Sequence, residues 1–414
     1  MRPDPSLQES AEDNGPPSNQ HIPALDGIRG LAILVVTFYR FSKGPETGSF
    51  IGDSVFSLLS WGQHGVDLFF VLSGFLITGI LFDSKEKSNY LSSFFGRRAL
   101  RIFPLYFGVL LVCFGLLPLF GATLFRAQEP HQWWIWLYGT NVFQSLQGDW
   151  CLGPFDHFWS LAVEEHFYLV WPFVIGFFSR TSAMRVCVGL IVFSVVGRVL
   201  WMLGGGNEIT PSVLTLFRAD ALAVGAWLAL AAREPGGIRS LVPAAWITMA
   251  VTGLLLLPLL ALHRRFLMIP EALLAWFFGA FLVIGVTDRG ESRLGWLWNN
   301  APMQTLGKYS YGMYVYQNLF IVLLAPALTT NDLILELESP MLGRLCYMAI
   351  MTMVTFGIAM ASWHLFENHF LKFKDYFAAG DAKRDGLEQE GSEQTVVTDS
   401  VKRVTDAPAN QIAL

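Results

Sequence analysis

Between residues 157 and 172 the chain reads His157-Phe-Trp-Ser-Leu-Ala-Val-Glu164-Glu165-His166-Phe-Tyr-Leu-Val-Trp-Pro172. Imidazole takes and returns protons near neutral pH, and a neighbouring carboxylate either orients it or, when buried, accepts the proton itself. Such a cluster handles protons or orients a substrate; the competing reading is a structural ion pair. A second cluster, Phe95-Gly-Arg97-Arg98-Ala-Leu-Arg101, puts Arg98 and Arg101 three residues apart. If the segment is helical they share a side and suit a phosphate or pyrophosphate through their forked donors. The other reading is topological, with the cations simply holding a loop on one side of a membrane. A third segment, LDGIRGLAILVVTFYRF, carries Asp26, Arg29 and Arg40. The two arginines fall on one face of a helix, about 16 Å apart along its axis. They either line a cavity or snorkel to opposite interfaces. Arg40 lies at a depth comparable to the glutamate pair and is a candidate partner for it. Asp67 and Ser73 read as hydrogen-bonding glue between helices, Arg218 and Asp220 as a local pair, and Tyr309 to Tyr316 as an aromatic belt.

The elements that must hold these residues follow from composition. Of 414 residues, 53% are hydrophobic and only 15% charged, with 34 Phe, 14 Trp and a mean hydropathy of +0.44. Soluble domains carry roughly a quarter charged residues, so a soluble enzyme and a nucleic-acid binder are both excluded. The chain reads as an all-α, polytopic membrane protein. Ten apolar stretches approach or reach the length of about 20 residues that crosses a bilayer. They lie near 24–41, 65–82, 102–121, 158–178, 185–203, 212–232, 241–262, 269–287, 309–329 and 342–366. The Trp-rich run from Gln132 to Phe143 is expected at the interface. With the N-terminus inside, twelve Lys and Arg fall on the cytoplasmic side between spans and four on the other, so both termini are expected in the cytoplasm. Residues 1–21 and 378–414 are polar and read as disordered cytoplasmic tails flanking a membrane domain over 22–377. The four cysteines have no metal or disulfide spacing, and the histidines show no ligand pattern, so no metal is expected.

Seven segments, in order from about Pro23 to Phe373, together resemble the acyltransferase 3 family of membrane O-acyltransferases. They are LDGIRGLAILVV, GVDLFFVLSGFLIT, FFGRRALRIFPLY, HFWSLAVEEHFYLVWP, RADALAVGAWLA, LGKYSYGMYVY and SWHLFEN. The resemblance implies a multi-pass protein of the cell membrane, inner or plasma. Such a protein takes an acyl group, typically acetyl, from cytoplasmic acyl-CoA and passes it to a hydroxyl of a glycan or related acceptor. Acyl-CoA would be a donor substrate rather than a bound cofactor, and the partners would be that donor, a carbohydrate and the bilayer, with no nucleic acid. By the same resemblance Arg98 and Arg101 lie near the nucleotide and phosphates of the donor, and Arg29 opens the first-span motif. Glu164 and Glu165 match the family's acidic pair, and His157 a histidine preceding it.

One position departs. Eleven residues after Arg29 the family has a histidine that acts as the base, and this chain has Arg40. A guanidinium stays protonated and cannot take that role. Three readings stay open: a base relocated to His166 beside the glutamates, a glutamate of the pair acting as base, or a protein that binds without transferring. Arg40 would then stabilise the oxyanion of the tetrahedral intermediate. A transporter of an anionic or glycan substrate is the rival from another class. The polar residues are expected to enclose one shared wet passage.

Overall fold

Prolines and small polar side chains mark where the long helices begin. The computed structural model describes residues 22–261, 269–288, 292 and 294–377, and its elements are helical throughout. Both expected tails, 1–21 and 378–414, lie outside the described residues. Helix α1 (Pro23–Phe41) opens on a proline in its first turn. Helix α2 (Phe50–Ser60) and a 3-10 turn, Trp61–His64, run directly into α3 (Gly65–Asp83). After α4 (Tyr90–Leu111) come short helical pieces, then α5 (Trp159–Phe177) and α6 (Arg180–Leu203). The Ser179 hydroxyl caps α6 by accepting from the backbone N–H of Ser182. Next are α7 (Thr215–Ala231), α8 (Val242–Ala261), α9 (Ile269–Thr287) and α10 (Ala301–Leu324), the last capped by Asn300. Helix α11 (Thr330–Leu337) starts in a reciprocal Thr329–Asp332 capping box, and α12 (Pro340–Ser362) starts on Ser339.

Each of the ten predicted stretches is occupied by a helix, and α2 and α11 are additional. The third begins earlier than its apolar run, so Arg97, Arg98 and Arg101 ride on α4 rather than on a loop. The Trp-rich run divides between helices Gln132–Trp136 and Thr140–Gln147, with Trp133 exposed. Among the described residues, seven helical segments are long and apolar enough to cross a membrane. Helices α1, α5 and α10 have the length, at 19, 19 and 24 residues, but not the apolarity. They are the helices that carry Arg29 and Arg40, the glutamate pair, and the Tyr309–Asn318 stretch. Their polar side chains turn inward, whereas α6 presents Val188, Val192, Phe193, Val196 and Leu200 outward. Such a face is solvated without penalty only by lipid.

Glycines set the two most extensive helix crossings. Helix α1 packs most extensively on α10, and α3 on α7. A Cβ at Gly30 would stand 1.9 Å from the carbonyl oxygen of Met303, and one at Gly307 1.9 Å from that of Asp26. Across the other pair, a Cβ at Gly74 would meet the Leu222 carbonyl oxygen at 1.9 Å and one at Gly225 that of Val71 at 2.0 Å. Only bare backbone fits there. The expected local pair of Arg218 and Asp220 does not form, because residues two apart point to different sides of a helix. Arg218 instead pairs with Asp67 on α3, and Asp220 with Arg198 of α6 at 2.5 Å.

Candidate active site

Among the described residues, the polar side chains expected to enclose one passage line two separate chambers. The larger, of about 660 Å³, lies toward the C-terminal end of α1 and is lined by Arg40, His64, Asp67, His157, Glu271 and Asn318, among others. The smaller, of about 100 Å³, lies toward the N-terminal part of the same helix and is lined by Arg29, Ser73, Arg98, Arg101, Glu164 and Glu165, among others. Val66 lines both. At their meeting Ser160 and Tyr314 share a hydrogen bond of 2.5 Å, and both hydroxyls reach the backbone oxygen of His157.

The smaller chamber holds its polar groups against one another. Ser73 donates to Oε1 of Glu164 at 2.5 Å and lies 2.9 Å from the Tyr168 hydroxyl. The Arg98 guanidinium stacks over the Tyr168 ring at 4.9 Å, and Arg29 pairs with Asp26 at 3.0 Å. Arg101 also lines a small adjoining pocket with Lys308 and Glu367. Three arginines on one small chamber present forked donors of the kind that suit phosphate or carboxylate groups.

The predicted partnership of the glutamate pair with Arg40 is not formed, since Glu164 and Glu165 line the Arg29 chamber and Arg40 the other. His166 lines neither. One helical position past Glu165, it points to α7, where its Nδ1 accepts from the Thr215 hydroxyl at 2.7 Å, and that oxygen in turn accepts from Asn141. His157 does line the Arg40 chamber, with both nitrogens engaged. Asn318 donates to its Nδ1 at 3.1 Å, and its Nε2 donates to the Val315 carbonyl at 3.3 Å. Burial, helped by the Arg40 cation, pushes this imidazole down to about 3, so it stays neutral.

The larger chamber contains a pair that the sequence signals only by a spacing of three. His64, at the end of the 3-10 turn, donates from Nδ1 to Oδ2 of Asp67 at 3.1 Å, while Oδ1 of Asp67 takes the Arg218 guanidinium. Arg218 is itself packed between the rings of Phe70 and Trp159. With the proton on Nδ1, Nε2 of His64 is an acceptor, approached among the described residues by the Gln63 amide at 3.5 Å. Two further polar atoms here, Nε of Arg40 and Oε2 of Glu271, are buried with no partner among the described residues. Trp150 and Tyr39 add aromatic faces. Glu271 and Trp150 belong to no motif, and only the tertiary structure brings them in. Among the described residues, no group of three or more His, Cys, Asp or Glu side chains gathers as for a metal ion.

The profile of an acyltransferase domain matches residues 22–364. The chain belongs to the acyltransferase 3 family. Among curated relatives, peptidoglycan O-acetyltransferase OatA of Listeria monocytogenes is 26% identical over 391 residues, covering 86% of this chain and 58% of that protein. The putative peptidoglycan O-acetyltransferase YrhL of Bacillus subtilis is 29% identical over 381 residues, 84% of this chain and 55% of its own length. Putative O-acetyltransferases of Staphylococcus aureus are 30% identical over 187 residues, 42% of this chain and 28% of theirs. The chain thus spans a little over half the length of the first two. No solved structure matches.

Proposed function

We propose that this chain moves an acyl group, acetyl in the simplest case, from cytoplasmic acyl-CoA to a hydroxyl of a sugar or cell-envelope glycan. In this reading about ten helices cross the inner or plasma membrane, both termini are cytoplasmic, and residues 22–377 form the transfer domain. Arg29, Arg98 and Arg101 hold the phosphates of the donor. Glu164 and Glu165, on the same chamber, fix those cations and accept hydrogen bonds from the amide groups of the donor's pantetheine arm. The Arg40 chamber takes the sugar. Its size is within the ~300–1,000 Å³ of sites that hold small ligands, and a sugar offers hydroxyls to Glu271 and Arg40 and an apolar face to Trp150. Arg40 stabilises the negative oxygen of the tetrahedral intermediate. His157, neutral and held by Asn318, keeps the wall between the chambers in register.

The observation that carries this reading is the contact of two chemically different chambers at Val66, one dominated by guanidinium groups and the other by mixed polar and aromatic groups. The test is full-length protein in liposomes with radiolabelled acetyl-CoA and a soluble disaccharide fragment of peptidoglycan. Release of free thiol matched by label in an alkali-labile ester is expected. Disaccharide flux without thiol release would instead identify a transporter, and donor binding without release a silent homologue.

A further inference from the structure

We propose that His64 is the general base that the first-span motif lacks in this chain, and that Asp67 positions it; this rests on the transfer reading above. Arg40 occupies the place where the resembled family has its histidine, and it cannot accept a proton. An acyl transfer to a hydroxyl still requires that the hydroxyl proton leave as the new C–O bond forms.

The larger chamber meets that need from a different element. Three properties separate His64 from the other candidate bases. Its Nδ1 hydrogen is committed to Asp67 at 3.1 Å, which leaves the Nε2 lone pair as the acceptor. Asp67 cannot turn away, since its other oxygen is held by the buried Arg218. And His64 stands on the turn immediately before Val66, the residue common to both chambers. By contrast, His157 has both nitrogens bonded within the protein, and His166 bonds Thr215 away from either chamber. The glutamates lie on the smaller chamber, with Glu164 already accepting from Ser73. An imidazole oriented by a carboxylate and facing a ligand chamber is the arrangement general-base catalysis requires.

The step balances without a further reactant. The acceptor hydroxyl gives its proton to Nε2 of His64 while its oxygen attacks the carbonyl carbon of the acyl thioester. The negative charge gathers on the carbonyl oxygen beside Arg40. Collapse breaks the C–S bond, the sulfur leaves with the electron pair, and the proton on His64 passes to the thiolate. The products are the sugar ester and the free thiol, and His64 is again neutral.

The experiment uses full-length protein in liposomes, with acetyl-CoA and the disaccharide fragment as probes. His64→Ala and His64→Gln are expected to lower thiol release by ~10²–10⁴-fold with acetyl-CoA binding unchanged. Added imidazole is expected to restore part of the His64→Ala rate but not the His64→Gln rate, whose side chain fills the site. A purely structural role for His64 would not respond to imidazole. If wild type turns over and both His64 variants stay within threefold of it, the base assignment is overturned and the transfer reading stands. If wild type binds acetyl-CoA but releases no thiol with the disaccharide or with water, the transfer reading fails and the base falls with it.

Discussion

The two chambers differ in how far their polar groups are already committed. Around Arg29, Ser73, Glu164 and Tyr168 bond one another, Arg98 lies on the Tyr168 ring, and Arg29 reaches Asp26. Around Arg40, a guanidinium nitrogen and a carboxylate oxygen of Glu271 are buried with no partner among the described residues. Leaving such an atom unpaired costs roughly 1–3 kcal/mol, so this chamber has hydrogen-bonding capacity that the smaller one has already spent internally. The smaller chamber is a preorganised charge cradle. The larger one holds mixed polar and aromatic side chains around open space.

The sharpest break of this contrast is Arg218→Ala. It leaves Asp67 buried without its cation, which costs about 3–5 kcal/mol, and it frees His64 from its orientation. A large fall in melting temperature in detergent is expected, together with loss of turnover, whereas Asp67→Asn with Arg218 intact should lose turnover with a smaller fall. Arg98→Ala and Arg101→Ala come next, each removing charge-assisted bonds worth about 1.5–3 kcal/mol. Acetyl-CoA affinity by calorimetry is expected to drop by ~10–150-fold, with the acceptor KM unchanged. Glu271→Gln should do the reverse at smaller scale, raising the acceptor KM by about tenfold for one lost charged hydrogen bond and leaving donor affinity alone. If the arginine variants and Glu271→Gln weaken the same ligand, the two-chamber division is wrong.

Two smaller effects sharpen the picture. His157 is held at about 3 in the folded protein, below the ordinary imidazole value near 6.5. The unfolded chain therefore binds the proton first, and stability falls as pH drops from about 6.5 toward 3. His157→Gln should flatten that part of the melting-temperature profile. His166→Asn is expected to change turnover by less than threefold and stability by about 1 kcal/mol, the worth of one hydrogen bond. A loss of a hundredfold would return the base to that position.

Much of this protein was legible in its residues. Low charge content and the ten apolar runs give the membrane class and the places of the long helices, because hydrocarbon tolerates little else. The three polar clusters also stand out, since each ionisable group in an oily helix is exceptional. The pairings were not legible. Asp67 and Arg218 are 151 residues apart, Ser73 and Glu164 91 apart, and no local pattern encodes contacts of that range. His64 hid for a related reason: a lone histidine in a Gly-rich turn gains meaning only from what faces it.

Composition and periodicity fixed which segments are helical and which carry charge, because burial in lipid and the helix repeat act residue by residue. Which cluster faces which chamber depended on how each helix is rotated about its axis. That rotation is set by glycine crossings such as Gly74 with Leu222 and by ion pairs between distant helices. A turn of 100° per residue separates Glu165 from His166, and that one step puts the glutamate on a chamber and the histidine in a helix contact. Only the assembled bundle could decide it.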